Sequence, residues 1–343
     1  MQARAFITGL AGTAITPEER AFLQEARPWG LILFKRNIDT AGQISALTAN
    51  FREIVGKLGA PVLIDQEGGR VQRMGPPHWP TYPPGAAYGR LYDRDAAKGL
   101  AAARLGARLI AEDLMQVGIT VDCLPLADVP VKGADAVIGD RAYGNTPEKV
   151  SALAGAVADG LADGGVLPVL KHIPGHGRAT ADSHAALPVV DAPRVELEAS
   201  DFAAFRPLAD LPMAMTAHVV FSALDAAQPA TTSATIIQQV IRGVIGFQGL
   251  LMSDDVSMNA LAGSIAERTR AIFGSGCDMV LHCNGKLEEM REVARETPEL
   301  SGKPLERAER ALASRKSPQA FDRLKSRTEL DVLIDRAGAA AGA

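Results

Sequence analysis

Apolar positions along the chain fall into two kinds of run. Eight are short and nearly continuous: Ala5–Gly9, Gly30–Phe34, Pro61–Asp65, Thr120–Leu124, Leu167–His172, Met213–His218, Leu250–Asp254 and Met279–Cys283. Runs of that length without polar alternation predict parallel strands covered on both faces. Between them lie longer stretches with helical spacing: Thr40–Leu58, Asp95–Gln116, Thr146–Asp163, Arg194–Leu208, Thr232–Ile245 and Asn259–Phe273. The third opens on Thr-Pro-Glu, an N-cap followed by proline in the first turn, and stops at Gly164-Gly165.

Strands alternating with helices fit either a closed barrel or an open doubly wound sheet. Gly9-Leu10-Ala11-Gly12-Thr13 after the first strand lacks the dinucleotide-binding glycine spacing. Polar residues end strand after strand, at Asp65, Asp128, Lys171, His172, His218 and Asp254. Convergence from many strand ends is the barrel arrangement, whereas an open sheet gathers its site at one switch point. The expectation is an α/β chain forming a single-domain (β/α)8 TIM-type barrel over residues 1–336. The last helices should pack outside it, and 337–343 should be a flexible tail. Two segments are longer than a barrel needs and read as loops: Glu67–Arg94, rich in Gly and Pro, and Leu126–Asn145.

Composition narrows the classes. With 47% apolar residues in 343, the chain can bury a large core. No apolar stretch reaches membrane-spanning length, and the N-terminus reads as a first strand, not a secretory signal. Cys123, Cys277 and Cys283 form neither a disulfide framework nor a zinc pattern, so a reducing cytoplasm is expected. A net charge of −4 and 5% aromatics exclude a basic nucleic-acid stripe and a stacking platform for single strands.

Three segments carry candidate chemistry. In LLMSDDVSMNA, residues 250–260, a strand runs into two carboxylates; only one of Asp254 and Asp255 can face the barrel mouth, and this segment alone leaves open which. In IDQEGGRVQR, residues 64–73, Asp65 ends a strand and Arg70 and Arg73 follow in a glycine-loosened loop. Such a set suits hydrogen bonding to sugar hydroxyls or a carboxylate, and equally an ion pair that holds the loop. In KHIPGHGRATADSH, residues 171–184, His172 and His176 are four apart, but Pro174 and Gly175 between them prevent a helix from presenting both to a metal. Lys171 and His172 close the strand and face a pocket. Arg178–Ala181 gives reach to a mobile loop bearing Asp182 and His184, where an aspartate can hydrogen-bond an imidazole and raise its basicity. A structural Asp–His hydrogen bond is the plainer alternative.

Together with LFKRN, DRAYG, MTAH and GCDMVLHCN, in matching order over nearly the whole chain, these segments resemble family 3 glycoside hydrolases. The resemblance is to the bacterial β-N-acetylglucosaminidases that recycle cell wall. One departure is Ile173, where the family commonly has Phe. The resemblance implies that Asp254 is the nucleophile, with His184 as acid/base and Asp182 as its partner. It implies that Asp65, Arg73, Arg141, Lys171 and His172 bind the sugar and that Asp255 is structural. It implies exo-acting, retaining release of GlcNAc from GlcNAc-anhydroMurNAc-peptides, with no metal or organic cofactor. The expected partner is a small sugar or muropeptide, not nucleic acid or membrane, and the chain is expected to be a cytoplasmic monomer. Alternatives are a phosphorylase, since an imidazole base does not repel phosphate, a β-glucosidase of the same family, a sugar-binding barrel without catalysis, and a metal hydrolase using His172, His176 and His184.

Overall fold

A computed structural model describes residues 2–179, 181, 183 and 186–339. The eight apolar runs become β1 (Arg4–Thr8), β2 (Pro28–Leu33), β3 (Val62–Ile64), β4 (Val121–Asp122), β5 (Leu167–Ile173), β6 (Met213–Thr216), β7 (Leu250–Asp255) and β8 (Met279–His282). They form a closed barrel in chain order, and β8 returns to pair in parallel with β1 through Phe6↔Val280 and Thr8↔His282. The expected (β/α)8 barrel is thus the fold.

Strand alternation sorts the apolar side chains into two cores. Trp29, Leu63, Val121, Leu167, Val169, Met213, Leu250, Met252 and Leu281 fill the barrel interior. Leu31, Val62, Ile64, Leu170, Ala214, Leu251 and Val280 join the layer between strands and helices. Leu300, Ala308 and Ala311 belong to the interior cluster beside Ala5 and Trp29, so the helix Gly302–Ala313 closes the end of the barrel where the strands begin. Among the described residues, no helix is long and apolar enough to cross a membrane.

The outer layer contains α1 (Pro17–Ala26), α2 (Ala41–Ile54), α3 (Gly85–Arg94), α4 (Ala96–Gln116), α5 (Pro147–Asp163), α6 (Arg194–Ala199), α7 (Asp201–Phe205) and α8 (Ile265–Gly274). Then come α9 (Leu287–Glu296), α10 (Gly302–Ala313) and α11 (Arg323–Ala339). The sequence reading omitted α1, although Thr16 and Glu19 form a capping box at its start. The segment Glu67–Arg94 is not a plain loop. Gln66–Gly68 and Val71–Gln72 make a small antiparallel hairpin, and α3 follows. Its glycines serve close packing: a Cβ on Gly85 would lie 2.1 Å from the Arg141 carbonyl oxygen, and one on Gly89 would lie 1.9 Å from that of Tyr143. That approach sets the height of the 141–143 backbone over the barrel.

Two predicted helices are also corrected. The single helix over 194–208 breaks at Ser200, whose φ of −121° and ψ of −78° end α6 before Asp201 begins α7. The helix predicted from Asn259 begins at Ile265, where Ser264 and Glu267 form a capping box after Gly263 with φ +85°. At the C-terminus α11 continues through Ala339, so part of the expected tail is helical.

Candidate active site

The inward parity of three strands continues one step beyond their apolar residues. Leu63 inside β3 brings Asp65 inward, Leu167 and Val169 bring Lys171, and Leu250 and Met252 bring Asp254. These side chains meet at the C-terminal mouth of the barrel in a cavity of about 330 Å³. Arg73, Arg141 and His172 line the same cavity, so six of the expected site residues converge there. Asp182 and His184 lie outside the described residues. Ser183, between them in sequence, is buried and lines the cavity.

One wall is a buried ionic cluster. Lys171 Nζ donates to Asp65 Oδ1 at 2.8 Å and lies 2.7 Å from Glu67 Oε1. Arg73 donates to Asp65 Oδ2 at 3.1 Å, and Arg141 holds both Glu67 oxygens at 2.8 and 2.9 Å. Burial alone would raise the pKa of Asp65, but Lys171 and then Arg73 overcome it and hold the carboxyl well below the usual range. Glu67 is likewise lowered against the effect of burial by Lys171 and Arg141. Burial opposes the charge on Lys171, yet Asp65 and Glu67 push its pKa above the ordinary value. With both carboxylates and all three cations ionised, the cluster carries one excess positive charge at the cavity wall. Glu67 was not among the expected residues. It stands two positions from Asp65, so strand alternation was the available signal.

A second wall is built from the strap after β5. Asp128, fully buried, accepts from His172 Nδ1 at 2.8 Å and from the backbone N–H groups of His172 and His176 at 3.3 and 2.7 Å. Burial would raise the pKa of Asp128, but His172 keeps it low. The ionised Asp128 accepts the hydrogen bond from Nδ1 and so fixes the orientation of the His172 ring. His176 packs against His172 with ring centroids 5.6 Å apart, and its Nε2 is 3.2 Å from Ser183 Oγ. Burial, and then the neighbouring His172, push its pKa down to about 4, so His176 is neutral at neutral pH.

The two adjacent aspartates are distinguished by their partners. Asp255 Oδ1 accepts from the backbone N–H groups of Ser257 and Cys283 at 3.0 and 3.1 Å, and its Oδ2 accepts the Ser257 hydroxyl at 2.7 Å. That carboxylate is committed to the turn after β7. Asp254 accepts its neighbour's backbone N–H at 2.8 Å; both aspartates line the cavity, but only the Asp255 carboxylate is tied into the turn by Ser257 and Cys283. Phe34, under the guanidinium groups of Arg36 and Arg73 at 5.0 and 5.3 Å, supplies an apolar face.

Two further basic residues tie loops together; Arg70 does so from the cavity wall, Arg178 from outside it. Arg70 donates to the Ala136 carbonyl at 3.0 Å and pairs with Asp140 at 3.2 Å, which ties the hairpin to the 126–145 segment. Arg178, expected to lie on a free tether, is instead anchored, with Nε 2.6 Å from Asp201 Oδ2 and Nη1 2.6 Å from Glu196 Oε1. Among the described residues, no three His, Cys, Asp or Glu side chains are grouped as a metal site would need.

Residues 5–312 match the family described as the N-terminal domain of glycosyl hydrolase family 3. A beta-hexosaminidase of Alkalilimnicola ehrlichii is 41% identical over 298 residues, which is 85% of this chain and 83% of that protein. One from Aromatoleum aromaticum is 38% identical over 91% of this chain and 87% of its own length. The crystal structure of NagZ from Neisseria gonorrhoeae in complex with N-trifluoroacetyl-D-glucosamine superposes with a TM-score of 0.85 at 32% identity, covering 98% of each chain. The match runs through the strands that carry Asp65, Lys171 and Asp254, and the chain belongs to glycosyl hydrolase family 3.

Proposed function

We propose that the protein is an exo-acting, retaining β-N-acetylglucosaminidase that removes non-reducing terminal GlcNAc from GlcNAc-anhydroMurNAc-peptides during cytoplasmic cell-wall recycling. Its family and its similarity to beta-hexosaminidases support a glycoside hydrolase of the β-N-acetylhexosaminidase kind. The observation that carries the mechanism is the placement of Asp254 inside the mouth, in the cavity lined by Asp65, Arg73, Arg141 and Lys171.

In this reading the cluster and His172 grip the hydroxyls of the terminal sugar and bring its anomeric carbon to Asp254. The Asp254 carboxylate attacks that carbon while the C–O bond to the leaving sugar breaks. His184, as imidazolium paired with Asp182, gives its proton to the departing oxygen. The neutral imidazole then takes a proton from water, which attacks the glycosyl ester and frees Asp254. Two displacements at one carbon retain its configuration.

The test is a fluorinated GlcNAc donor followed by peptide mapping. Label on Asp254 is the expected result, and label on Asp255 would transfer the nucleophile to the neighbour. Product NMR with a GlcNAc-anhydroMurNAc-peptide, with and without phosphate, should show β-GlcNAc first in both. A GlcNAc phosphate product would replace hydrolysis by phosphorolysis.

A further inference from the structure

We propose that Arg178 is a positioning residue for proton transfer, fixing the stem of the strap that carries His184. This rests on His184 being the acid/base, as proposed above. Arg178 does not line the cavity, so it has no part in gripping the sugar. It is nonetheless held from two elements at once. Its Nε reaches Asp201 at the start of α7, and its Nη1 reaches Glu196 on α6. The break at Ser200 that splits the predicted helix brings those two acids to one guanidinium.

The opposite side of the strap is pinned as well. Val131 donates its N–H to the Gly177 carbonyl at 3.3 Å, and Asp135 donates to that of Ala179 at 2.8 Å. Gly177 lies so close to Val129 that a Cβ there would be 2.1 Å from the Val129 carbonyl oxygen. The residues flanking Arg178 are therefore clamped between the 126–145 segment and the α6–α7 pair. Five residues further on, Ser183 is held in the cavity by His176. Arg178 and Ser183, on either side of Asp182's place in the sequence, are thus each held by contacts of their own.

The acid on the inner side of the fork is costly. Asp201 is 1% exposed, and its Oδ1 has no hydrogen-bond partner among the described residues. Buried pairs of this kind add little net stability, whereas they can select one conformation. Here the conformation selected is the departure point of the catalytic strap. A general acid must lie within hydrogen-bond reach of the oxygen it protonates, and misplacement by about 1 Å costs on the order of 100-fold.

The experiment compares kcat/KM for phenyl and dinitrophenyl GlcNAc glycosides in the full chain. Phenolate needs a proton to leave and dinitrophenolate does not, so loss of acid positioning appears selectively on the first. Arg178→Met should lose about 10–100-fold on the phenyl glycoside and under about 3-fold on the dinitrophenyl one. Arg178→Lys should recover much of the loss. Glu196→Gln, at the half-exposed arm of the fork, should show the same asymmetry at smaller size even if Arg178→Met folds poorly. Equal losses on both glycosides, or no loss on the phenyl glycoside, overturn the proposal. His184→Ala in the same panel separates the two claims. Uniform loss there contradicts the acid/base assignment. Selective loss there, with uniform loss in Arg178→Met, contradicts only the positioning role.

Discussion

Replacing Lys171 by methionine should convert the ionic wall of the site from a stabilising cluster into a destabilising one. Lys171 is 2% exposed and bridges Asp65 and Glu67 at 2.8 and 2.7 Å. At an effective dielectric constant of about 20, each contact is worth roughly 6 kcal/mol of gross attraction, most of which offsets desolvation. Removing one partner of a buried pair typically costs about 3–5 kcal/mol. Asp65 retains Arg73 and Glu67 retains the two-pronged Arg141, so the lower end, about 3 kcal/mol near neutral pH, is expected. The dependence on pH has a definite sign. In the parent both carboxyl pKa values lie below their unfolded values, so their stabilisation is present above about pH 4 and is lost as pH falls through the folded pKa values. Without Lys171, burial and mutual repulsion raise those pKa values, and ionisation destabilises the fold as pH rises above about 4. The gap between parent and Lys171→Met in urea denaturation should therefore be widest near pH 7 and shrink toward about pH 4.5. A loss below about 1 kcal/mol, or an equal loss at both pH values, would refute the coupled cluster.

Other outcomes follow from single contacts. Asp254→Ala should fold normally and lose about three orders of magnitude or more in turnover of an aryl glycoside. Asp255→Ala should instead lower the unfolding free energy measured in urea by about 1–3 kcal/mol, because it strands the Ser257 and Cys283 N–H groups. Gly89→Ala should cost about 1–3 kcal/mol and raise KM by pushing the Tyr143 backbone, and Arg141 with it, from its place; an unchanged melting temperature and KM would contradict that packing. His176, with its pKa lowered to about 4 from 6.5, stabilises the fold fully above about pH 6.5, and this contribution falls away as pH drops toward 4, by about 3 kcal/mol in all. An NMR titration of its ring with a midpoint near 6.5 would contradict that burial.

The strands were legible because each is an apolar run buried on both faces, and that requirement is local. The choice between Asp254 and Asp255 was not, since it depends on which of Leu250 and Leu251 faces the barrel interior, and only closure of the sheet decides that. Glu67 was hidden for a related reason. Its partners Arg141 and Lys171 lie far along the chain, and the surrounding Gly and Pro read as loop. Those same glycines turned out to be the means by which α3 approaches the 141–143 backbone. Helix α1 could have been found from Thr16 and Glu19, whose spacing is a capping box. Arg178 could not, because its meaning depends on a helix break at Ser200 that helical periodicity conceals.

The covered lower end of the barrel sets a direction of traffic. With α10 packed beneath Trp29, the end of the barrel where the strands begin is covered, and the cavity lies at the strand ends. Under the proposed double displacement, the leaving group departs by the same mouth through which water then enters, while the first sugar stays bound. Departure of the first product before entry of the second reactant is the ping-pong order that the proposed covalent mechanism requires. In that order the sugar held at the proposed nucleophile leaves last, and the covered lower end directs it out past the strand ends as well.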